Sequence, residues 1–489
     1  VRVVLDSAIR FDALAISPVV RQQIESALRT ANPAKPAAVR EKLWSARFMD
    51  DMIELFSFDG DGVMVLPMGF LSQFEQGMRA SGVSLEVEDR RRWYDRDFLA
   101  GCTPISLRDY QEPMCEALIR GERGLGEAPT GAGKTSVALE AIRRVGQPAL
   151  IIVEKASLAQ QWRARIQDQL GVEAGYLGEG KMILRPITVA IRASLWSKRD
   201  ELYRTFVPLD RAVKRCVFDA FGTIVLDEAH RLKGQTATEI FQRFTARHRW
   251  GVSATPERDP LYFPIIRAVI GPILWETTTQ DAAEHLVKPS VRVLESSFDF
   301  DYRPTQRLID TTTGKGFTAR NNYSAMMDAL CSDQARNSMI AGEAEREKLN
   351  GHHVLIVSRR TDHLDAIRQL LDDYGVFTLT GKSKGSDVIE IADQIASADG
   401  GTILLSSVAD EGLDIPRLDR VVLAYPGRNP EVFKQQIGRV MRPWPGKDRA
   451  VIIDIRDQQS LLRSQYSTRA HQLYGREGLH IDRISGTLR

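Results

Sequence analysis

The stretch Ala128-Pro129-Thr130-Gly131-Ala132-Gly133-Lys134-Thr135 opens a helical pattern that runs from Ser136 to Arg144. Phosphate-binding loops take the form G-x-x-x-x-G-K-[ST], and here Ala128 stands at the first Gly position. What phosphate binding requires is kept. Gly131 and Gly133 let backbone N–H groups close around phosphate oxygens at a helix N-terminus, where the dipole favours negative charge. Lys134 can reach the β- and γ-phosphates, and the Thr135 hydroxyl can ligate Mg²⁺. Pro129, Thr130, Ala132 and Ser136 complete the expected nucleotide-binding set. Taken alone, the loop could also be a Gly-rich helix entry with an exposed lysine.

About 90 residues on, Asp227-Glu228-Ala229-His230 follows the β-branched run Thr223–Leu226. Asp227 at a strand end can hold the water shell of a Mg²⁺ ion, and Glu228 can position and deprotonate an attacking water. A lone Asp-Glu is commonly a helix N-cap. With a phosphate loop upstream, the pair instead reads as the second half of a nucleoside-triphosphatase site, with ATP and Mg²⁺ as its cofactors.

Around these motifs the chain alternates short apolar runs with helical patterns. Pro148–Val153 precedes a helical stretch from Ser157 to Leu170, and Ile187–Ile191 and Thr223–Leu226 are unbroken apolar runs. The alternation restarts after about residue 285, with His353–Val357, Thr402–Leu405, Arg420–Ala424 and Ala450–Asp454. Apolar runs joined by helical crossovers predict parallel strands buried on both faces, hence an α/β fold with two such layers. Ligand-handling loops are expected at the carboxyl ends of the strands. The expected division is an N-terminal α+β accessory domain over 1–100, a first α/β domain over 101–282 and a second over 283–489. A helical insertion is expected near 298–346, and the charged run Glu86–Asp97 is expected as a surface helix or linker.

Composition narrows the class. The 489 residues are 43% hydrophobic and 27% charged, with 66 Lys+Arg against 64 Asp+Glu. That is globular usage and excludes collagen-like, low-complexity and mostly disordered chains. No apolar run approaches the roughly 18 residues that a membrane-spanning helix needs. Cys102, Cys115, Cys216 and Cys331 are widely spaced without a C-x-x-C pair, which excludes a disulfide scaffold and a cysteine zinc site and fits a reducing compartment. Val1 suggests a missing leading segment; no secretory signal is visible. The expected location is the cytoplasm of a bacterium or of a phage-infected host. A monomer is expected. Charge is uneven: residues 1–100 carry 13 basic and 15 acidic side chains, and residues 401–489 carry 14 and 10.

Further motifs follow in order. Leu107-Arg108-Asp109-Tyr110-Gln111 precedes the loop, and Trp250-Gly251-Val252-Ser253-Ala254-Thr255-Pro256-Glu257-Arg258 follows the acidic motif. Ser407-Val408-Ala409-Asp410-Glu411-Gly412-Leu413-Asp414-Ile415-Pro416 and Gln435-Gln436-Ile437-Gly438-Arg439-Val440-Met441-Arg442-Pro443 lie in the second half. Together with Asp-Glu-Ala-His, this set resembles the superfamily-2 helicases over residues 104 to 470, and within them the XPB and UvsW group of DNA helicases. The resemblance implies two tandem RecA-like parallel-sheet domains and ATP hydrolysis coupled to unwinding or translocation. The implied partner is single-stranded, forked or branched DNA, with 3′ to 5′ movement, alongside other replication or recombination proteins. It implies that Arg108 and Gln111 contact the adenine edge and that Ser253, Ala254 and Thr255 couple hydrolysis to movement. Gly412 and Asp414 would reach the nucleotide from the second domain, and Gln435, Arg439 and Arg442 would serve catalysis, the arginines as fingers on the γ-phosphate. His230 is expected to bridge toward Gln435 and Gln436. Arg439 and Arg442, three apart, are expected on one helix face.

A strand of nucleic acid bound chiefly through phosphates would meet strand-end loops. Lys155, Arg192, Arg359, Thr380 and Ser407 are the candidates. Trp162, Trp196, Trp250 and Trp275 can stack on bases, although core packing is the more common use of such aromatics. An RNA motor, or an ATP-driven clamp without unwinding, remains open on residues alone. The Val65-Leu66-Pro67-Met68-Gly69-Phe70 stretch resembles a Pro-x-Gly turn in the small domain of phage helicases. No nuclease-like P-D…(D/E)-x-K cluster is evident, which argues against a restriction subunit.

Overall fold

The computed structural model describes residues 1–40, 44–129, 131–207, 215–232, 235–257, 259–278, 281, 287–309, 316–319, 321–383, 385–408, 414–475 and 478–483. By contact the chain divides into two compact units, Val1–Ala282 and Ala283–Arg489.

The first unit is built on an eight-stranded sheet. Its spatial order is Lys181–Ile183, Gly175–Gly178, Ile187–Ile191, Ala149–Val153, Thr223–Asp227, His248–Ser253, Arg123–Glu127 and Ile273–Glu276. Every neighbouring pair is parallel except the Gly175–Gly178/Lys181–Ile183 hairpin. Ala149–Val153 and Ile187–Ile191 are buried at all positions, as strands covered on both faces must be. The helix after the phosphate loop, Lys134–Val145, stops at Gly146 in the left-handed conformation (φ 69°), which satisfies its C-terminal carbonyls without a Cβ clash.

The same unit carries a five-stranded sheet, ordered Ser57–Phe58, Val63–Pro67, Ala8–Asp12, Arg2–Leu5, Glu86–Asp89. Its pairs are antiparallel except the last. Ile9, Met64, Leu66 and Phe74 form its core with the helix Leu71–Ala80. The charged run beginning at Glu86 is therefore a strand at its start, not a helix or linker. Edge strands tolerate charge, and Arg2 pairs with Glu88 at 2.7 Å across the two strands. The Pro67–Phe70 turn seats this sheet on the helix Phe263–Val269. A Cβ on Gly69 would lie 2.6 Å from the carbonyl oxygens of Arg267 and Ala268 and from the N of Gly271. Gly271 (φ 137°) in turn abuts Gly124 in the strand that leads into the phosphate loop; a Cβ there would lie 2.9 Å from the Gly124 Cα.

The second unit has a seven-stranded, wholly parallel sheet, ordered Val376–Leu379, Thr402–Ser406, His353–Val357, Arg420–Leu423, Ala450–Asp457, Pro289–Ser296, Ile481–Arg483. The stretch expected as a helical insertion contains an antiparallel pair, Gln306–Ile309 with Gly316–Ala319, before the helices Tyr323–Ser332 and Gln334–Leu349. The second helix covers the sheet, with Ile340, Ala341 and Ala344 packed in one core with Val354 and Ile356. Its sequence reads as polar because its buried polar side chains are paired. Arg336 meets Asp457 at 2.8 Å with both side chains 1% exposed, and Glu347 accepts from Arg292 and Arg420.

Candidate nucleotide site and nucleic-acid interface

Three adjacent strands of the first sheet end together. Asp227 is in register with Val252, and Ser253 with Glu127, so the acidic motif, the Ser253 segment and the phosphate loop leave the sheet side by side. The N–H of Ala128 donates to the Ser253 carbonyl at 3.1 Å, tying loop to neighbour. Gly131 (φ 90°) and Gly133 (φ 84°) both take the left-handed conformation that the tight loop demands. Lys134 donates from Nζ to the carbonyls of Ala128 (2.9 Å) and Pro129 (3.2 Å), so the ammonium lies over the loop. Thr135 and Ser136 occupy the first turn of the helix. Thr130 lies outside the described residues.

Gln111 holds the loop from the other side. Its Nε2 donates to the Ala132 carbonyl at 2.8 Å, and its Oε1 accepts from the Arg108 N–H at 3.0 Å. The Tyr110 hydroxyl donates to the same carbonyl at 3.0 Å and accepts from Arg108 Nη1 at 3.1 Å. Tyr110 was not among the residues singled out from sequence; its position one residue before Gln111 was the available signal.

The acidic motif is strained and densely bonded. Glu228 adopts φ 50°, ψ 56°, a left-handed conformation rare for a residue with a Cβ and characteristic of sites that fix a side chain's aim. Its N–H donates to Asp227 Oδ1 at 2.9 Å. Asp227 Oδ2 accepts from the indole Nε1 of Trp162 at 2.8 Å. Burial, then the neighbouring Glu228 carboxylate, push Asp227 up to about 6, against the opposing Trp162 hydrogen bond and the Lys134 charge. His230 Nδ1 shares a 3.0 Å hydrogen bond with Ser253 Oγ and lies 3.3 Å from Glu228 Oε2. Ser253 Oγ also accepts from the Thr255 N–H at 3.1 Å, with Ala254 between. His230 is thus engaged within its own unit. Among the described residues no three His, Cys, Asp or Glu side chains group as a metal site. The donor set here, one hydroxyl (Thr135) and one carboxylate whose ionisation is suppressed by burial, suits a Mg²⁺ ion carried mainly by phosphate oxygens.

In the second unit, Gln435, Gln436 and Arg439 are buried on the helix Pro430–Val440. Arg442 lies beyond that helix, which corrects the expectation of one shared helical face. Pro443 is the reason, because a residue preceding proline is driven out of the helical region. Arg442 forms an ion pair with Asp414. Gly412 falls outside the described residues.

The strand-end candidates differ in their surroundings. Arg192 is held by Glu154 through two bonds of 2.8 and 2.7 Å. Lys155 directly precedes the helix Ala156–Leu170. Arg359 is exposed after its strand. The Thr380 N–H donates to Ser383 Oγ at 3.0 Å, and the Ser407 N–H donates to the Leu379 carbonyl at 3.1 Å, bringing two loop starts together. Trp250 is fully buried and Trp275 is partly exposed.

Residues 104–258 match the family model described as "Type III restriction enzyme, res subunit", and residues 335–443 match "Helicase conserved C-terminal domain". The chain belongs to the superfamily-2 helicases. The helicase is 27% identical over 383 residues to "DNA 3'-5' translocase XPB2" of Sulfurisphaera tokodaii, covering 72% of this chain and 81% of that protein. It is 27% identical over 379 residues to "Putative ATP-dependent RNA helicase L396" of Acanthamoeba polyphaga mimivirus, covering 74% and 67%. In fold it is similar to S. cerevisiae Dbp5, solved bound to RNA and ADP BeF3, with a TM-score of 0.55 at 13% identity over 78% of this chain and 90% of that one. The helicase is an ATP-hydrolysing enzyme of the α/β class with two RecA-like sheets.

Proposed function

We propose that this helicase is a DNA motor that moves 3′ to 5′ and opens or migrates forked and branched DNA. The observation that carries the motor chemistry is the side-by-side exit of Ala128, Asp227 and Ser253 from three adjacent strands. The preference for DNA and the polarity rest on the similarity to the Sulfurisphaera translocase. In this reading, the N–H groups around Gly131 and Gly133, with Pro129, Thr130, Ala132 and Ser136, cradle the phosphates of ATP, and Lys134 turns from its loop carbonyls to the terminal phosphates. Thr135 and Asp227 hold Mg²⁺, which when bound neutralises phosphate charge. Glu228, fixed by its strained backbone, aims and deprotonates water. Arg108 and Gln111 meet the base, and Gln435, Arg439 and Arg442, with Gly412 and Asp414, act from the second unit. Ser253, Ala254 and Thr255 report the state of the acidic motif through His230. Lys155, Arg192, Arg359, Thr380 and Ser407 track the strand, and residues 1–100 form an accessory domain before motor domains 101–282 and 283–489. The work belongs to replication, recombination or repair.

The test is a panel of forks, overhangs and four-way junctions in DNA and RNA versions, read for ATP turnover and strand displacement. Turnover stimulated by DNA forks and little by RNA supports the reading. Equal stimulation by RNA would favour an RNA motor, the reading that similarity to the mimivirus protein favours.

A further inference from the structure

In the second unit, the turn that follows the strand His353–Val357 is held from behind by a chain of buried polar side chains. Ser358, His363 and Asn337 are each at most 2% exposed. Ser358 Oγ and His363 Nδ1 lie 3.0 Å apart, as do His363 Nε2 and Asn337 Oδ1, and Asn337 Nδ2 donates to the Cys331 carbonyl at 2.8 Å. The last bond fixes the others. A main-chain carbonyl only accepts, so the Asn337 amide nitrogen faces Cys331 and its oxygen faces the ring. His363 Nε2 therefore carries the proton, and Nδ1 accepts from the Ser358 hydroxyl. Burial, then the Arg336 charge, push His363 down to about 3, which keeps the ring neutral.

What the chain fixes is a turn of two arginines. Ser358 Oγ, its proton directed at His363, accepts from the Arg360 N–H at 3.2 Å, and the Ser358 N–H donates to the Ser406 carbonyl at 3.2 Å. The helix that carries Asn337 holds the neighbouring strand end as well, because Arg336 Nη1 donates to the Ala424 carbonyl at 2.9 Å. Arg360 is claimed by Asp328 and by Asp362, which accepts from its Nε at 3.0 Å. Arg359 is exposed and forms no ion pair among the described residues. A cation carried on a turn that is already ordered loses less conformational freedom on meeting a phosphate than one whose turn orders on binding.

We propose that His363 is a positioning residue for the nucleic-acid grip: as a neutral ring with its proton on Nε2, it holds Ser358 and so keeps the turn in the shape that presents Arg359 to a backbone phosphate. The proposal rests on the reading of Arg359 as a strand contact and deepens it. Being buried, His363 acts through Ser358 and not on the nucleic acid.

The experiment uses the full chain and a fluorescein-labelled oligothymidylate, with Kd read by anisotropy over a series of salt concentrations. His363→Gln sets an amide nitrogen where Nε2 stood, so it keeps the bond to Asn337 and releases Ser358. His363→Asn sets an oxygen where Nδ1 stood and keeps Ser358. One phosphate contact on a single strand contributes about 0.7 to the slope of log K against log salt. Arg359→Ala should weaken binding about tenfold and lower that slope by about 0.7. His363→Gln should do the same, and its combination with Arg359→Ala should bind no more weakly than Arg359→Ala alone. His363→Asn should stay within about threefold of the parent protein with the slope unchanged. Ser358→Ala breaks the chain at its other end and should lower the slope as His363→Gln does. A loss in His363→Gln with the parental slope, or a combined variant about 100-fold weaker than the parent, overturns the proposal while leaving Arg359 as a strand contact. A parental slope in Ser358→Ala, or a His363→Asn protein as impaired as His363→Gln, does so too. Arg359→Ala with parental affinity and slope overturns the reading of Arg359 and the proposal with it.

Discussion

The indole N–H of Trp162 donates to Asp227 Oδ2 at 2.8 Å, 65 residues away in sequence. The bond favours the ionised carboxylate and opposes the burial that pushes Asp227 up. Trp162→Phe keeps the packing and removes the donor, so Asp227 takes up a proton at higher pH. The half-activating Mg²⁺ concentration should rise by roughly tenfold, in keeping with lost support of a metal ligand. The acid limb of the kcat/KM profile for ATP should move to higher pH. Steady-state ATP turnover across pH and Mg²⁺ checks both.

Asp227 also sets a pH dependence of stability. Its folded value of about 6 lies above the 3.8 of an unperturbed Asp, so the folded state binds the proton more tightly. The buried charge then costs stability above pH 6, and the cost is relieved as pH falls from about 6 toward 4. In metal-free, nucleotide-free protein, Asp227→Asn should raise the denaturation midpoint at pH 8, and the gain should vanish by about pH 4. Urea titrations at a series of pH values give the curve; a gain that grows on acidification contradicts it.

Lys134→Ala should abolish ATP hydrolysis with little change in the fold. The ammonium is bonded to two loop carbonyls, and the stability lost with such bonds is about 1 kcal/mol. Circular dichroism and thermal unfolding, alongside turnover, separate the two effects.

Ser253 accepts from the Thr255 N–H and shares a hydrogen bond with His230. Ser253→Ala breaks both and leaves the buried His230 ring short of a partner. Unwinding should fall further than hydrolysis, so that ATP consumed per base pair opened rises by about tenfold, as expected when one buried bond of about 1.4 kcal/mol links two motifs. Parallel phosphate-release and strand-displacement assays give the ratio.

Arg442→Ala should leave the Kd for ATP within a few-fold and lower nucleic-acid-stimulated turnover by about 10³-fold, the scale of a lost arginine finger. Equilibrium binding of a fluorescent nucleotide and stimulated turnover measure the two. Wild-type turnover in this variant would remove Arg442 from the catalytic set.

Much of this was legible in the residues. Ile187–Ile191 and Thr223–Leu226 announced buried parallel strands because a strand covered on both faces needs apolar side chains on both. The loop around Lys134 and the Asp227-Glu228 pair were readable because their chemistry needs those residue types in a short span. What escaped depended on partners distant in sequence. The stretch near 298–346 reads as a helical insertion, since nothing local shows that Arg336 and, just beyond it, Glu347 find buried counter-charges. Trp162 read as packing because it sits on a helix and its acceptor ends a strand 65 residues on. Arg442 was placed on a helix although Pro443 beside it forbids that, a local signal that was available and outweighed by the three-residue spacing.

The run from Gly69 through Gly271 to Gly124 joins the amino-terminal sheet to the phosphate-loop strand by main chain resting on main chain. Such a joint has no side chains to trim, so a scan that replaces residues with alanine by deleting atoms would pass over it in silence. It yields only to additions: a single methyl at Gly69 would wedge the amino-terminal layer off its seat while every recognised motif stayed intact. Substitutions on the surface around this seam leave it untouched, whereas a Cβ at Gly69 or Gly271 meets main chain at 2.6 and 2.9 Å.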